Sequence, residues 1–244
     1  MNTKLQMVQL LGAGVLVTTS VGLAGDAVPY QAPEKESNGS FCESLWKYAE
    51  WYKNPDNPVI QKFAFTGRFQ ADAAYFDASG KDDWDDTLWR RLRMGFKAQM
   101  FNDFTVHAEA DWNLTRPEPF YNRLTDAYVA WSPSKAFKLK AGKHSAGFTL
   151  DGKTSSKKLL TMQRSNVANN MWFPVEYHTG LSASGKIDRW SYNAGVFSGK
   201  RDTEWGGFNS GWFLLTSLGY DFSDCVGFDK LTVRGDYVYN CLLY

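Results

Sequence analysis

Basic side chains recur at every second position in several segments of the chain. Successive side chains of a β-strand point to opposite sides, so residues two apart share one face. A guanidinium group binds an oxyanion through two parallel N–H donors, and an ammonium group acts as a point charge. The spacing therefore predicts one surface able to bind small anions, formed by Arg68, Arg91, Arg93, Lys97, Lys138 and Lys140.

Acidic residues fall on the same predicted face, namely Asp72, Glu109, Asp111 and Asp126. These carboxylates could neutralise the basic groups, and the charges would then merely keep a wet surface hydrated. Anion binding is the favoured interpretation, and the hydration of a polar surface stays open beside it.

The elements that carry these residues are predicted to be strands. Phe63, Phe65 and Phe69 alternate with Thr66 and Arg68, and the same period of two recurs along the chain. The 17 Phe, 12 Tyr and 10 Trp favour a β protein, because aromatic residues are enriched in strands. We predict an all-β protein with about nine antiparallel strands.

Connection lengths suggest which kind of β protein this is. Short turns are expected near Asn102, Ser134 and Asp188, while residues 78–87, 115–123, 144–177 and 199–211 form longer connections. Transmembrane β-barrels of the bacterial outer membrane have short periplasmic turns and long external loops. We therefore predict a transmembrane antiparallel β-barrel. The alternative is a soluble exported β-rich protein that binds carbohydrate on its Trp and Tyr side chains.

The N-terminus has the layout of a secretory signal peptide, with Lys4 before an apolar run that ends in small residues. We expect a signal peptide at residues 1–24, a periplasmic lead-in at 25–57 and a β-barrel at 58–244. In the lead-in, Ser40 to Glu43 could cap a short helix that extends to about Lys53.

Composition and spacing speak against several other functions. The 27 basic and 26 acidic residues nearly cancel, so nucleic acid is not an expected partner. No cluster of His and Cys has the spacing of a metal site, and no cofactor is expected. His144 adjoins Ser145 without a recognisable third catalytic member, so we expect no enzyme and no catalytic residue.

Several motifs, in order, resemble the phosphate-selective porin O and P family between about Pro58 and Gly199. They are residues 63–72, Trp89-Arg90-Arg91-Leu92, Phe101-Asn102-Asp103-Phe104, Asp126-Ala127-Tyr128-Val129 and residues 138–143, followed by residues 154–157 and 163–166. The resemblance implies a homotrimeric outer-membrane porin with about sixteen strands per barrel and a third loop folded inward as a constriction.

The resemblance also implies roles for individual residues. Arg68, Arg90 and Arg91 match the family's arginine positions, and the constriction loop would carry Lys153, Lys157 and Lys158. Two positions depart from the family: its constriction lysine falls at Gly152, next to Lys153, and its lumen aspartate falls at Thr125, next to Asp126. The expected partners are small anions, with phosphate as the candidate, and outer-membrane lipid.

About nine strands would not form a complete barrel of this kind. Single-chain bacterial barrels have an even number of strands, and an open edge in lipid leaves backbone groups unpaired. We therefore expect these residues to be the N-terminal part of a larger barrel. A small closed barrel of eight or ten strands is the alternative.

Export and membrane insertion give the first testable prediction. The mature protein, cleaved after Ala24 or Ala27, should be found in the outer-membrane fraction and require detergent for extraction. It should migrate differently on electrophoresis before and after heating, because folded barrels resist the detergent. Recovery in the soluble periplasm would contradict the barrel and favour the soluble alternative.

Overall fold

One antiparallel sheet contains all of the strands in the computed structural model. The structure describes residues 47–77, 79–80, 82, 84–115, 118–159, 164–166, 177–200, 204–226 and 229–241, and the backbone of 15–18. The strands are β1 (Val15–Thr18), β2 (Glu50–Lys53), β3 (Ile60–Phe76), β4 (Trp84–Met100), β5 (Phe104–Trp112), β6 (Tyr121–Ser134), β7 (Phe137–Ser145), β8 (Tyr177–Ile187), β9 (Trp190–Ser198), β10 (Trp212–Asp221) and β11 (Thr232–Cys241).

The strand order is β1-β11-β10-β9-β8-β7-β6-β5-β4-β3-β2, so neighbours from β2 to β11 are consecutive in sequence. The predicted all-β class is confirmed, and the about nine strands expected from periodicity correspond to β3 through β11. Among the described strands, β1 and β2 form the two edges and the sheet is not closed. In the described residues, the helices are the short α1 (Leu150–Lys153) and α2 (Ser223–Val226), with a 3-10 turn at Phe208–Ser210.

The short turns fall where the sequence predicted them. Phe101 and Asn102 have φ values of 49° and 65° in the turn between β4 and β5, and Asp188 has a φ of 50° between β8 and β9. Asparagine and aspartate adopt this left-handed region more readily than most residues do. The hairpin of β3 and β4 is longer than expected, because β4 already begins at Trp84.

The two faces of the sheet differ sharply in chemistry. One face, the outer face, exposes large apolar side chains, among them Phe65, Phe69, Met94, Phe96, Val129, Leu181, Val196 and Leu218. The opposite face, the polar face, includes Arg68, Arg93, Glu109 and Lys140. Soluble proteins rarely expose so extended an apolar surface, whereas the outer wall of a membrane barrel consists of one.

The sheet is curved, with the polar face inside. Arg93 lies on β4 and Tyr177 on β8, four strands away, which would separate them by about 19 Å in a flat sheet. The Arg93 guanidinium nevertheless donates a hydrogen bond of 2.6 Å to the Tyr177 hydroxyl. These side chains are too short to meet across a flat sheet, so the strands must wrap around them.

The predicted helix before the barrel is wrong over Glu50–Lys53. Glu50–Lys53 form β2 and pair with β3, so the chain is extended where a helix to about Lys53 was predicted. Trp51 packs against Phe63 and Phe65 on the outer face, with ring centroids 6.0 and 4.2 Å away. Strand pairing and aromatic packing together override the capping pattern, whose residues at 40–46 lie outside the described part of the chain.

β1 lies within the segment expected to be a signal peptide, and its backbone pairs with β11. Processing of this segment and the boundaries at residues 24 and 57 remain predictions. No helix in the described residues is long and apolar enough to cross a membrane.

Gly142 is a position in the sheet where a side chain would meet backbone atoms and where φ is also positive. Its φ is +125°, and a Cβ there would lie 2.3 Å from the carbonyl oxygen of Ala127 and 2.8 Å from the Cα of Tyr128. Only glycine allows this backbone conformation without strain and lets β6 and β7 approach so closely.

Substituting Gly142→Ala should lower the free energy of unfolding by about 1–3 kcal/mol, because the new methyl group meets backbone atoms in a strained conformation. The temperature at which the folded electrophoretic band disappears measures the loss. Gly235→Ala is the matched control, since a Cβ there meets nothing within 4 Å. An equal effect of both substitutions would contradict the close-packing argument.

Candidate functional site

A loop crosses the polar face of the sheet. This inward loop is the described segment 146–159 that follows β7, and it includes α1. The Thr149 hydroxyl accepts a hydrogen bond of 3.0 Å from the Gly152 amide at the start of α1, which satisfies a backbone donor that the helix leaves free.

The start of the inward loop is fixed by apolar packing and by a hydrogen bond. At its start, Ala146 and Phe148 pack on the buried cluster of Phe197, Phe213 and Leu215. Near the same end, Arg234 of β11 donates a hydrogen bond of 2.8 Å to the Gly147 carbonyl.

The far end of the loop contacts β3. Gln70 donates a hydrogen bond of 3.1 Å to the Ser156 carbonyl, and Arg68 donates to the Ser156 hydroxyl. The loop thus spans the interior from β11 to β3, and its course inside the curved sheet narrows the space there.

A β-bulge brings both members of the Arg90-Arg91 pair to the polar face. Strict alternation would place them on opposite faces, but the register shifts between Gln70 and Ala71. Arg91 donates a hydrogen bond of 3.0 Å to Gln70, and Arg90 lies 3.6 Å from the carboxylate of Asp72. Gln70 and Asp72 share one face of β3, so both arginines reach it.

Most arginines of the polar face have carboxylate partners. Arg93 binds Asp111 through two hydrogen bonds of 2.7 and 3.2 Å, and both side chains are nearly buried. Arg123 lies 3.2 Å from the same Asp111. Arg68 lies 3.3 Å from Glu109, whose side chain is 2% exposed. These pairs neutralise one another, so they contribute more to structure than to positive charge.

The lysines of the polar face differ from the arginines. Lys97, Lys138 and Lys140 take part in no ion pair with any residue that the structure describes. They lie at alternate positions of β4 and β7, and the Lys140 ammonium lies over the ring of Tyr128, 4.4 Å from its centroid. Their charges therefore remain available to a ligand.

A cavity of about 530 Å³ opens beside Lys138 and Lys140. It extends along β7, β8 and β9 from the short turns to the inward loop, and serine hydroxyls and Asn193 form much of the remaining wall. Among the described residues its lining contains no acidic side chain, and its basic members are Lys135, Lys138, Lys140, Lys153, Lys186 and Arg234.

The lysines expected on a constriction loop all lie on the inward loop, and all are solvent exposed. Lys153 lines the cavity together with Arg234. Desolvation lowers the pKa of Lys157, and the charge of the nearby Arg68 lowers it further. An anion between Lys157 and Arg68 would relieve that repulsion. The backbone amide of Lys158 donates a hydrogen bond of 2.8 Å to the Ser155 carbonyl within the loop.

The structure accounts for both departures from the family pattern. Thr125 is an extra residue at a bulge between β5 and β6, and its buried hydroxyl donates to the Glu109 carbonyl at 2.8 Å. Asp126 pairs directly with Glu109 across the strands, so the acidic side chain next to Thr125 lies on the polar face. Gly152 is buried in the inward loop, and the neighbouring Lys153 reaches the cavity.

Sequence reasoning missed several residues of this site. Arg234 anchors the inward loop and also binds Asp236 at 2.7 Å, and its alternation with Asp236 on β11 was the available signal. Tyr177 and Ser156 were missed because their contacts with Arg93 and Arg68 join segments more than 80 residues apart. Gln163, part of a matching motif, lies outside the described residues.

The histidines of the polar face form no recognisable catalytic centre. His144 contacts Ser182 at 2.9 Å rather than its neighbour Ser145, and its Nδ1 donates to the Gly142 carbonyl at 3.1 Å. A hydrolase triad has a carboxylate in that second position. Within the described residues, no three His, Cys, Asp or Glu side chains gather as a metal site.

A curved antiparallel sheet with an apolar outer face, a charged inner face and a loop across its interior is the architecture of a porin wall. The chain belongs to the phosphate-selective porin O and P family, whose profile matches residues 63–211. That range includes β3 from its fourth residue, β4 through β9 and the inward loop. Arg234 lies beyond it. A search of the curated proteins finds no match.

Breaking the Arg93–Asp111 pair should be costly, because it removes the carboxylate that accepts two hydrogen bonds from the buried guanidinium and leaves only the more distant Glu109, at 3.9 Å. Asp111→Asn should lower the free energy of unfolding by about 3–5 kcal/mol, measured by chemical denaturation in detergent. The control is Asp224→Asn in the exposed pair with Arg189, whose side chains are 79% and 40% exposed and which should cost less than about 1 kcal/mol. Equal losses would mean that Asp111 contributes no more than a surface charge.

Proposed function

We propose that this protein forms a water-filled channel for small anions, phosphate among them, across the bacterial outer membrane. The observation that carries the proposal is the cavity, whose described lining has six basic side chains and no acidic one. Arg234 is paired with Asp236, and the other five are lysines that form no ion pair with the described residues. Cations that lack carboxylate partners attract anions from solution and disfavour the entry of cations. The inward loop with Lys153, Lys157 and Lys158 is the constriction in this proposal.

Passage through such a channel requires that an anion exchange its hydration shell for protein donors. The Nε–H of Arg68 is buried and donates to no acceptor in the described part of the chain. Lys157 lies near it, Arg91 binds Gln70 two residues along the same strand, and serine hydroxyls line the cavity. Several sites of moderate affinity conduct better than a single tight site, because the ion must also leave.

The pore-lining set in this proposal is Arg68, Arg90, Arg91, Arg93, Lys97, Lys138 and Lys140. The ion pairs divide it into two groups with different tasks. Arg68, Arg90 and Arg93 position acidic partners and the inward loop, whereas Arg91, Lys97, Lys138 and Lys140 supply most of the uncompensated charge.

Membrane location, a cleaved signal peptide and a homotrimer of complete barrels belong to the same proposal. Family membership and the exposed apolar side chains of the outer face support contact with outer-membrane lipid. A soluble carbohydrate-binding protein would leave that face in water, at a cost of roughly 25 cal/mol per Å² of apolar surface. No observation favours the soluble alternative.

Ion selectivity tests the proposal directly. The double substitution Arg68→Glu and Arg91→Glu should shift the reversal potential in a salt gradient toward cations, because it replaces two positive charges of the route by negative ones. The protein purified from outer membranes and reconstituted in planar bilayers is the material. Lys230→Glu, in the connection between β10 and β11, is the control. An unchanged potential would exclude Arg68 and Arg91 from the conducting path.

Phosphate competition tests the inward loop. Phosphate should reduce chloride current through the wild-type channel, and substituting Lys153, Lys157 and Lys158 together by Ala should weaken that block severalfold. Lys230→Ala controls for the loss of a lysine elsewhere. If phosphate never blocks, the channel passes anions generally and the loop confers no phosphate preference.

A further inference from the structure

Tyr128 is the centre of a cluster on the polar face to which sequence reasoning gave no role. It pairs with His107 of β5 and with Gly142 of β7. Its ring meets the rings of His107 and His144 edge to face, at centroid distances of 5.3 and 6.0 Å. Lys140 places its ammonium 4.4 Å from the centroid of the same ring.

The local backbone explains why the ring and the ammonium meet. Gly142 has no side chain opposite Tyr128, so the ring is free to lie toward β7. Lys140 is two residues from Gly142 on the same face of β7, which is the diagonal position that a long side chain reaches. The cross-strand partners of Lys140 itself are Ala130 and Ser182, which are small and uncharged.

The contact holds a cation without neutralising it. An aromatic ring attracts an ammonium through its quadrupole and carries no net charge. Among the described residues, no hydrogen bond and no ion pair involves the Lys140 ammonium, so its three N–H donors stay available. Arg93 also lies over a tyrosine ring, that of Tyr177 at 5.2 Å, but Asp111 neutralises it.

We propose that Tyr128 is a positioning residue, which holds the Lys140 ammonium at a fixed place on the anion route as a cation that forms no ion pair with the described residues, although the Asp126 carboxylate lies near it. A free lysine side chain samples many rotamers, and fixing it beforehand reduces the entropy that an arriving anion would otherwise cost. Tyr128 thereby raises the affinity of the channel for an oxyanion at this point. The inference rests on the proposed anion passage.

Two substitutions separate the ring from its hydroxyl group. Tyr128→Phe keeps the ring face and should leave phosphate block of chloride current close to wild type. Tyr128→Leu removes the ring and should weaken the block roughly two- to fivefold, the range that a cation–π contact of ordinary strength supplies. Tyr128→Met serves in its place if the leucine variant fails to insert, as judged by heat-modifiable migration.

A double-mutant cycle with Lys140→Met tests whether Tyr128 acts through Lys140. The single substitution Lys140→Met should weaken phosphate block at least as much as Tyr128→Leu. The double variant should lose no more than Lys140→Met alone, because the ring then has no ammonium to hold. Additive losses would overturn the inference.

The acylation rate of Lys140 gives a readout that does not depend on conduction. Treating the folded protein in detergent with an amine-reactive ester, followed by mass spectrometry of the Lys140 peptide, should show faster modification in Tyr128→Leu and no change in Tyr128→Phe. An unchanged acylation rate in Tyr128→Leu would overturn the inference whatever the phosphate block of that variant.

Faster acylation with unaltered phosphate block would overturn the role of Tyr128 in anion retention. Absence of phosphate block in the wild type would contradict the proposed function instead. The acylation rates alone would then decide whether Tyr128 holds Lys140 in place.

Discussion

The structure depends on one constraint, which is that backbone groups inside a hydrocarbon layer must find their hydrogen-bond partners within the protein. Long antiparallel strands satisfy it, and they impose a period of two on every side chain. The outer face must then be apolar, as Phe65, Phe96 and Leu181 are. The inner face is free to be charged, so function is confined to alternate residues and to whatever enters the interior.

In the proposed function, charge on the inner face has two uses that compete with each other. A guanidinium with a carboxylate partner, such as Arg93 with Asp111, holds the curved wall together and loses its attraction for anions. An ammonium without such a partner, such as Lys138, keeps that attraction and contributes little to stability. The protein uses mainly arginines for the first task and lysines for the second, in keeping with the bidentate geometry of arginine.

The inward loop links the two halves of this wall. Phe148 fixes it to an apolar cluster inside an otherwise polar interior, and Ser156 ties it to Arg68 on β3. Because the same arginine also contacts Glu109, a displacement of the loop would alter the ion pairs of the wall as well as the space inside the curved sheet. The position of the loop and the charge pattern of the wall are therefore coupled.

The sequence by itself determined β3 through β11 and their faces, because a period of two and the turn residues Asn102 and Asp188 are local properties of the chain. Its ordered motifs showed the resemblance to the family, and it identified several basic residues of the inner face and the lysines of the inward loop, but not Arg234. Only the tertiary structure decided which charges are neutralised, since the partners of Arg68 and Arg93 lie on other strands or in the loop. The bulges that bring Arg90 inside and set Thr125 aside, the strand that replaces a predicted helix at Glu50–Lys53, and the contact between Tyr128 and Lys140 likewise depend on register. Register is fixed by pairing between segments, and no single segment encodes it.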